Sequence, residues 1–227
     1  MKLLIDDANV EKIKKILEYY PVDGVTTNPS ILAKAKRNPY DVLSEIRSLI
    51  GEEAELHAQV ISLKADEMIE EAHTMQKMLG KSTYIKIPTI PEGLKAMQVL
   101  SAEGVKITAT SIYTPLQAWL AAKAGADYAA PYVNRIDNLG ANGVEHTKMM
   151  QDILRDKSCH TKILAASFKN SYQVQEMCAY GIGAVTVSPE IFENLIKNSS
   201  VTEAVNAFVR DFEKLCGKGK TMQNCMK

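Results

Sequence analysis

One lysine of the sequence lies where a charged side chain is unexpected. Lys86 is in the middle of the apolar run Thr83–Pro88, and a strand buried on both faces excludes an ammonium ion unless that ion is paired or neutral. Because strand side chains alternate, Tyr84 and Lys86 share one face, while Ile85 and Ile87 share the other. An edge strand whose lysine reaches water would explain this run without any chemistry. A desolvated lysine would instead be a neutral amine that attacks a carbonyl near neutral pH.

An amine nucleophile needs groups that transfer protons, and the chain supplies them near other apolar runs. Asp6 and Tyr132 could donate and accept protons, and Gln59 and Thr110 could hold a water between them. Each has an ordinary alternative. Asp6 could cap the helix that begins near Asn9, Tyr132 could be a core aromatic with a solvated tip, and the other two could satisfy backbone groups.

Three residues are candidates for holding a polar, phosphorylated substrate. Asn28 could orient hydroxyl groups, although Pro29 after it also suits a helix cap. Arg135 could bind a phosphate through two parallel hydrogen bonds, or could pair with Asp137. Ser167 follows the seventh apolar run, in the region that often binds phosphate in barrels. The four histidines are typical of surface or packing positions.

The elements that must position these residues repeat regularly. Short runs rich in β-branched residues are each followed by a segment of helical period. The predicted strands are Leu3–Ile5, Gly24–Thr27, Leu56–Val60, Tyr84–Ile87, Val105–Ala109, Tyr128–Val133, Lys162–Ser167 and Ala184–Val187. This alternation predicts a parallel sheet, either an open doubly wound sheet or a closed barrel. We predict a (β/α)8 TIM barrel, because no glycine-rich phosphate loop follows the first strand and polar residues end almost every strand.

The sequence after the eighth strand predicts one additional helix over residues 200–216. Ser200 would begin it with a capping box, and Gly217 would end it in the left-handed conformation. Its apolar residues form a stripe that could pack on its own domain or on a neighbouring subunit. This stripe consists of Val201, Val205, Phe208, Phe212 and Leu215. The polar tail, residues 218–227, is expected to be mobile.

Composition favours a small-molecule ligand. Lysine and arginine together number 27, as do aspartate and glutamate, so no net charge attracts nucleic acid or anionic lipid. The apolar stretches are too short for a membrane span or a signal peptide. The four cysteines lack metal-site spacing and predict reduced thiols in a cytoplasmic protein. With no change of composition along it, the chain is expected to be a single domain, residues 1–227.

Four segments carry a resemblance to a known family. Gly24–Ser30, Ile85–Pro88, Ala130–Arg135 and Ala165–Lys169 resemble the short-chain transaldolases and fructose-6-phosphate aldolases, and the aldolase members more closely. The resemblance implies a (β/α)8 barrel and class I chemistry through a lysine Schiff base, without metal or other cofactor. It also implies a homo-oligomer, a decamer of two pentameric rings or a pentamer, in which the terminal helix reaches a neighbouring subunit.

The resemblance also implies roles for individual residues. Lys86, Tyr132, Gln59, Asp6 and Thr110 would be catalytic, whereas Asn28, Arg135 and Ser167 would bind substrate. Transaldolases usually have Glu and Phe where this chain has Gln59 and Tyr132, so the pair is similar to the aldolase pattern. Thr114 and Pro115 depart from that pattern, which leaves the substrate preference open.

The expected activity is the cleavage of fructose 6-phosphate to dihydroxyacetone and glyceraldehyde 3-phosphate, with the reverse aldol addition. The alternative is a transaldolase of the pentose phosphate pathway, which would transfer a dihydroxyacetone unit from sedoheptulose 7-phosphate to glyceraldehyde 3-phosphate. A barrel that binds a sugar phosphate without turnover is less favoured, because it needs no buried lysine.

Overall fold

The protein is a closed barrel of parallel strands. Its computed structural model describes residues 1–156 and 159–225. The strands follow one another around the barrel in chain order, and β1 pairs with both β2 and β8. They are β1 Lys2–Asp6, β2 Gly24–Thr26, β3 Glu55–Gln59, β4 Tyr84–Pro88, β5 Ile107–Ile112, β6 Tyr128–Pro131, β7 Lys162–Ala165 and β8 Ala184–Val187. Every strand is therefore paired on both sides, which excludes the edge-strand explanation for Lys86.

Helices connect the strands, and local sequence signals explain where several of them begin. Within the described residues they are α1 Val10–Tyr19, α2 Pro29–Lys34, α3 Pro39–Ile50, α4 Ala65–Leu79, α5 Pro91–Ala102, α6 Pro115–Lys123, α7 Val133–Asn138, α8 Gly143–Asp156, α9 Ser171–Tyr180, α10 Pro189–Leu195 and α11 Ser199–Cys216. Proline fits the first turn because its missing N–H has no intrahelical partner there. Asparagine side chains cap others by accepting a backbone N–H of the first turn. These caps are Asn9, Asn28, Asn38, Asn170 and Asn198.

The strands present alternate residues to the barrel interior and to the helices. On β4, Ile85 and Ile87 are fully buried on the outer face. Tyr84 faces the interior, where it packs with Leu4 and Tyr128 from other strands. Lys86 lies two residues further on, so it faces the same interior. The period-two pattern of the sequence therefore places the lysine inside the barrel.

All eight predicted strands are present, and the differences lie at their ends. β5 begins at Ile107 rather than Val105, whose N–H instead bonds to Leu100 at the end of α5. The pairing of β5 with β6 shifts register between Ala109 and Ile112. β6 ends before Tyr132, because that residue already occupies the cap position of α7. The predicted boundaries there were wrong, since the backbone turns into a helix before the apolar run ends.

Contacts within the chain divide it into two compact units, Met1–Phe192 and Glu193–Lys227. α11 belongs to the second unit. It begins at Ser199, one residue before the predicted start, and Asn198 caps it by accepting the Ser200 N–H at 2.9 Å. The predicted Ser200 capping box was wrong, because a better-placed asparagine precedes it. Gly217 follows the helix with φ 102° and ψ 154°, a positive-φ conformation that favours glycine but is not the left-handed helical one that was predicted.

The end of the chain turns back on α11. Cys216 and Cys225 form a disulfide, with their Cα atoms 6.3 Å apart. This contradicts the prediction of four reduced thiols, which considered spacing but not the turn that brings these two together. The single-domain organisation, the surface covered by the α11 stripe and the mobility of the tail stay predictions, and residues 226–227 lie outside the described residues. None of the described helices has the length and apolar character to cross a bilayer.

Candidate active site

Lys86 is buried at the centre of a ring of polar residues. It lies on β4 between Gln59 of β3 and Thr108 of β5, which are its register partners. Its side chain is 7 % exposed, and Nζ donates a hydrogen bond to the backbone oxygen of Thr27 at 2.5 Å. Burial lowers the pKa of Lys86, although the nearby Asp6 carboxylate opposes this shift. Burial therefore shifts the amine towards its neutral, nucleophilic form.

Asp6 ends β1 and lies within electrostatic reach of Lys86. Its Oδ1 accepts a hydrogen bond from Thr26 Oγ1 at 2.7 Å, and Thr186 Oγ1 lies 2.6 Å from the same threonine oxygen. Burial raises the pKa of Asp6, while the positive charge of Lys86 acts against this shift. Asp6 does not cap α1, because Asn9 accepts the Lys12 N–H at that position. The helix-cap alternative for Asp6 was therefore wrong.

Tyr132 is held from several directions immediately after β6. Its hydroxyl and Thr110 Oγ1 are 2.9 Å apart, which is a hydrogen bond in which either oxygen can be the donor. The Tyr113 ring meets the Tyr132 ring edge-on at 5.5 Å between centroids. Arg135 lies over the same ring, with its guanidinium carbon 4.3 Å from the centroid. The phenol is thus a fixed group that can exchange a proton.

Gln59 ends β3 beside the lysine. Its side-chain oxygen is buried and accepts no hydrogen bond from any residue that the structure describes. Gln59 also lines a cavity of about 470 Å³ among α2, α3 and α4. A buried amide oxygen without a partner is costly, so this oxygen is suited to a water or a ligand hydroxyl.

Asn28 and Ser167 follow β2 and β7. Asn28 caps α2, because its Oδ1 accepts the Ile31 N–H at 3.0 Å. The cap interpretation is confirmed, and it leaves the amide N–H₂ as the group with hydrogen bonds to give. Ser167 has φ 61°, a left-handed conformation that is uncommon outside glycine, and its backbone oxygen accepts the Asn134 N–H at 2.9 Å. Such conformations concentrate at ligand sites.

Arg135 does not use Asp137 as a partner. The Asp137 carboxylate accepts hydrogen bonds from Gly143 N–H at 2.7 Å and Gln173 Nε2 at 2.6 Å. No ion pair joins Arg135 to Asp137 within residues 1–156, so that alternative was wrong. The guanidinium is exposed on the Tyr132 ring and retains donors for an anion.

Sequence reasoning missed three residues that shape this site. Thr26 donates a hydrogen bond to Asp6, and the backbone oxygen of Thr27 accepts a hydrogen bond from the Lys86 amine. The Tyr113 ring packs edge-on against the Tyr132 ring. Two consecutive threonines within a strand of otherwise apolar character were the available signal for the first two. The contact of Tyr113 is tertiary, and no local pattern predicts it.

The comparison with protein families agrees with this geometry. Residues 3–225 match the family described as transaldolase/fructose-6-phosphate aldolase. The chain belongs to this family. The family comprises enzymes, so the protein is an enzyme of the aldolase and transaldolase class.

Relatives of the family carry both names. A probable transaldolase of Caldicellulosiruptor saccharolyticus is 42 % identical over 216 residues, which cover 95 % of this chain and 98 % of the relative. A probable transaldolase of Clostridium botulinum strain Langeland is 39 % identical over 97 % of this chain and all of the relative. A probable fructose-6-phosphate aldolase of Streptococcus pneumoniae is 39 % identical over 93 % of this chain and 96 % of the relative.

Proposed function

We propose that this protein is a class I aldolase that cleaves fructose 6-phosphate to dihydroxyacetone and glyceraldehyde 3-phosphate, and that it also catalyses the reverse addition. The observation that carries the proposal is the buried Lys86, whose amine is hydrogen-bonded to a backbone oxygen and whose pKa burial lowers. A neutral amine attacks the ketone carbon of the sugar. Loss of water gives an iminium ion, which draws electrons from the neighbouring carbon–carbon bond.

Cleavage then follows from one proton transfer. Removal of the proton from the hydroxyl on the fourth carbon breaks the bond between the third and fourth carbons, and the electron pair passes to the iminium as an enamine. The phenolate of Tyr132 accepts this proton through a water that Gln59 and Thr110 hold, and the phenol so formed later returns the proton to the enamine carbon. Hydrolysis releases dihydroxyacetone and restores the amine.

The remaining residues bind and orient the substrate. Asp6, whose pKa burial raises, exchanges a proton with the nitrogen as water leaves. Asn28 directs its amide hydrogens at donor hydroxyls. Arg135 and Ser167 hold the phosphate of glyceraldehyde 3-phosphate, since an exposed guanidinium suits a phosphate group.

Reductive trapping tests the covalent step. Borohydride added with fructose 6-phosphate should attach the donor's mass to Lys86, and Lys86→Met should abolish both the adduct and the activity. Lys106→Met removes an exposed lysine just before β5 and serves as the matched control, which should keep both. An unmodified Lys86 in active enzyme would overturn the mechanism.

A transaldolase is the second candidate function, and the two relatives named probable transaldolase support it. In that reaction an aldose phosphate captures the enamine before it is protonated. Dihydroxyacetone release from fructose 6-phosphate, measured with and without erythrose 4-phosphate, separates the two. Release without the acceptor is expected of the aldolase, whereas absolute dependence on the acceptor would assign the transaldolase and place the enzyme in the pentose phosphate pathway.

We also propose that the enzyme acts as a homo-oligomer, a decamer or a pentamer. The resemblance of its motifs to the family and the regular apolar stripe of α11 support an assembly in which this helix contacts another subunit. Sedimentation equilibrium measures the mass directly. A monomer at working concentration would contradict the proposal.

A further inference from the structure

The backbone oxygen that holds the Lys86 amine belongs to a residue whose side chain the proposed mechanism does not use. Thr27 follows the last residue of β2 and is fully buried. Its N–H and its Oγ1 both donate to the backbone oxygen of His57 on β3, at 2.9 Å and 3.0 Å respectively. Thr27 is therefore fixed to the neighbouring strand by two hydrogen bonds to one acceptor.

The residues after Thr27 limit where its carbonyl points. Asn28 has an extended backbone, with φ −154° and ψ 167°, and its side chain caps α2. Pro29 follows, and a residue before proline is largely confined to extended conformations. With Thr27 fixed on one side and Asn28 on the other, the peptide unit between them has little freedom to rotate.

The Thr27 carbonyl lies where β2 has left the sheet. In a regular parallel ladder, a backbone N–H of the next strand would donate to this oxygen. No backbone N–H of the described residues does so, and Lys86 Nζ is the donor instead, at 2.5 Å. A buried carbonyl without a donor is costly. The oxygen is therefore suited to hold an N–H of the Lys86 nitrogen throughout the reaction.

The Lys86 nitrogen keeps one hydrogen through the covalent step. The neutral amine has two hydrogens. When it adds to a ketone and water leaves, one of these hydrogens and one proton from the site depart with the ketone oxygen. The iminium nitrogen retains the other hydrogen and carries a positive charge. A hydrogen bond from this N–H to a backbone oxygen is charge-assisted and strong.

We propose that Thr27 is a positioning residue for Lys86, because its hydroxyl fixes the backbone carbonyl that accepts an N–H of the nitrogen, both in the amine and in the iminium. This inference rests on the proposed role of Lys86 as the nucleophile. With one N–H directed at Thr27, the lone pair of the amine points away from that oxygen, which orients it for attack on the substrate. The same contact stabilises the iminium charge as water leaves.

The sign of the effect on the pKa of Lys86 separates positioning from activation. A carbonyl oxygen stabilises the ammonium form more than the neutral amine, so loss of this contact would lower the pKa of Lys86. Asp6 and Tyr132 raise the same pKa, and burial is the cause that lowers it. A weakened contact should therefore slow the reaction without moving its pH midpoint upwards.

The experiment measures the initial rate at which fructose 6-phosphate and cyanoborohydride form an adduct on Lys86, across a pH series. Thr27→Val keeps the branched shape but removes the bond from Oγ1 to His57. We expect the rate on its alkaline plateau to fall about tenfold, the scale of one hydrogen bond to a charged group. Its pH midpoint should be no higher than that of the wild type. Thr27→Ser restores the hydroxyl and should recover most of the rate.

Thr161→Val is the matched control. Thr161 is also a buried threonine whose Oγ1 donates to a backbone oxygen, that of Ala126 at 2.6 Å, but it precedes β7 at the amino-terminal rim of the barrel. This variant should keep the wild-type rate of adduct formation at a comparable loss of stability, measured by urea denaturation. If Thr27→Val does not fold, Thr27→Ala, which places no methyl group against His57, supplies the same comparison.

An ester in place of the peptide bond between Thr27 and Asn28 tests the carbonyl itself. It is introduced with the α-hydroxy analogue of asparagine, which retains the Asn28 side chain but makes the Thr27 oxygen a weaker acceptor. Adduct formation should slow in this variant as well, and an unchanged rate would show that the carbonyl does not act on the nitrogen.

Three other results bear on the inference and on the proposed function. A wild-type plateau rate in Thr27→Val, or a loss that Thr27→Ser does not restore, would overturn the inference. A rise of the pH midpoint that accounts for the whole loss would overturn it too, because the effect would then lie in the pKa of Lys86. Absence of any adduct on wild-type Lys86 would instead remove the Schiff-base mechanism itself.

Discussion

At the scale of single residues, burial decides the chemistry of Lys86. The free amine of lysine is almost fully protonated near neutral pH, and its transfer from water into the barrel disfavours that charged form. Asp6 undergoes the complementary change, since burial raises its pKa. Two groups that would be an ion pair in water are therefore both shifted towards their neutral forms, which suits an amine that must attack and an acid that must donate.

Loss of the Tyr132 hydroxyl should slow cleavage of fructose 6-phosphate more than transfer to another aldose phosphate. Tyr132→Phe removes the proton carrier but keeps the ring that contacts Tyr113 and Arg135. We expect dihydroxyacetone release from fructose 6-phosphate to fall about 100-fold, which is the usual contribution of a general acid–base. Transfer to erythrose 4-phosphate should fall less, because capture by an aldehyde bypasses protonation of the enamine.

Tyr113→Phe is the control for this substitution, since it keeps the edge-on ring contact and alters only a neighbouring phenol. Its rate of dihydroxyacetone release should stay within about twofold of the wild type, because the mechanism assigns no acid–base role to the Tyr113 hydroxyl. Equal losses in cleavage and transfer for Tyr132→Phe would remove the proposed proton-transfer role.

At the scale of elements, several site residues are held where a strand ends and the next helix begins. Asn28 illustrates this, because it follows β2 by two residues and its side chain caps α2. Tyr132 similarly occupies the cap position of α7. Helix starts and site residues coincide because parallel strands all end at the same rim, where the chain must turn.

The cap and the site role of Asn28 can be separated by a matched pair of substitutions. Asn28→Ala and Asn38→Ala each remove a side-chain cap, of α2 and α3 respectively. Each should lower the free energy of unfolding by about 1 kcal/mol, measured by urea denaturation. Only Asn28→Ala should also raise the KM for fructose 6-phosphate. The same KM for both variants would show that Asn28 serves the helix alone.

At the scale of the whole molecule, the buried His57 links folding to pH. Its pKa is about 4 in the folded protein, below the ordinary value of 6.5. Between these two values the unfolded chain binds a proton that the folded protein does not, so stability falls as the pH is lowered through this window. A lone group with this shift accounts for about 3 kcal/mol.

We therefore expect the free energy of unfolding of the wild type to decline from pH 6.5 towards pH 4, with a smaller decline in His57→Phe. Urea denaturation at several pH values measures both slopes. His73→Gln, which changes an exposed histidine paired with Glu103 at 2.7 Å, is the control and should keep the wild-type slope. Identical slopes for the wild type and His57→Phe would contradict the prediction.

Much of this molecule could be predicted before its structure was described. Strands of period two and helices of period 3.6 are local patterns, and they gave all eight strands and their parallel order. The anomaly of Lys86 was visible in the same way, because a charged residue interrupts the apolar face of one strand. Errors occurred at boundaries such as Tyr132 and Asn198, where a cap competes with an apolar run and one or two residues decide the outcome.

The sequence by itself determined the eight strand–helix units, the shared strand face of Tyr84 and Lys86 and the candidate site residues, since these depend on periodicity and on residue type. Barrel closure decided that this face is the interior. Only the tertiary structure decided which candidates meet. Tyr132 hydrogen-bonds to Thr110, and the Asp137 carboxylate accepts hydrogen bonds from residues other than Arg135. Cys216 forms a disulfide with Cys225, and His57 lies between Glu55 and Thr108. These contacts join residues from different elements or across a chain turn. Their distances follow from barrel closure and loop geometry, which no local pattern of the chain encodes.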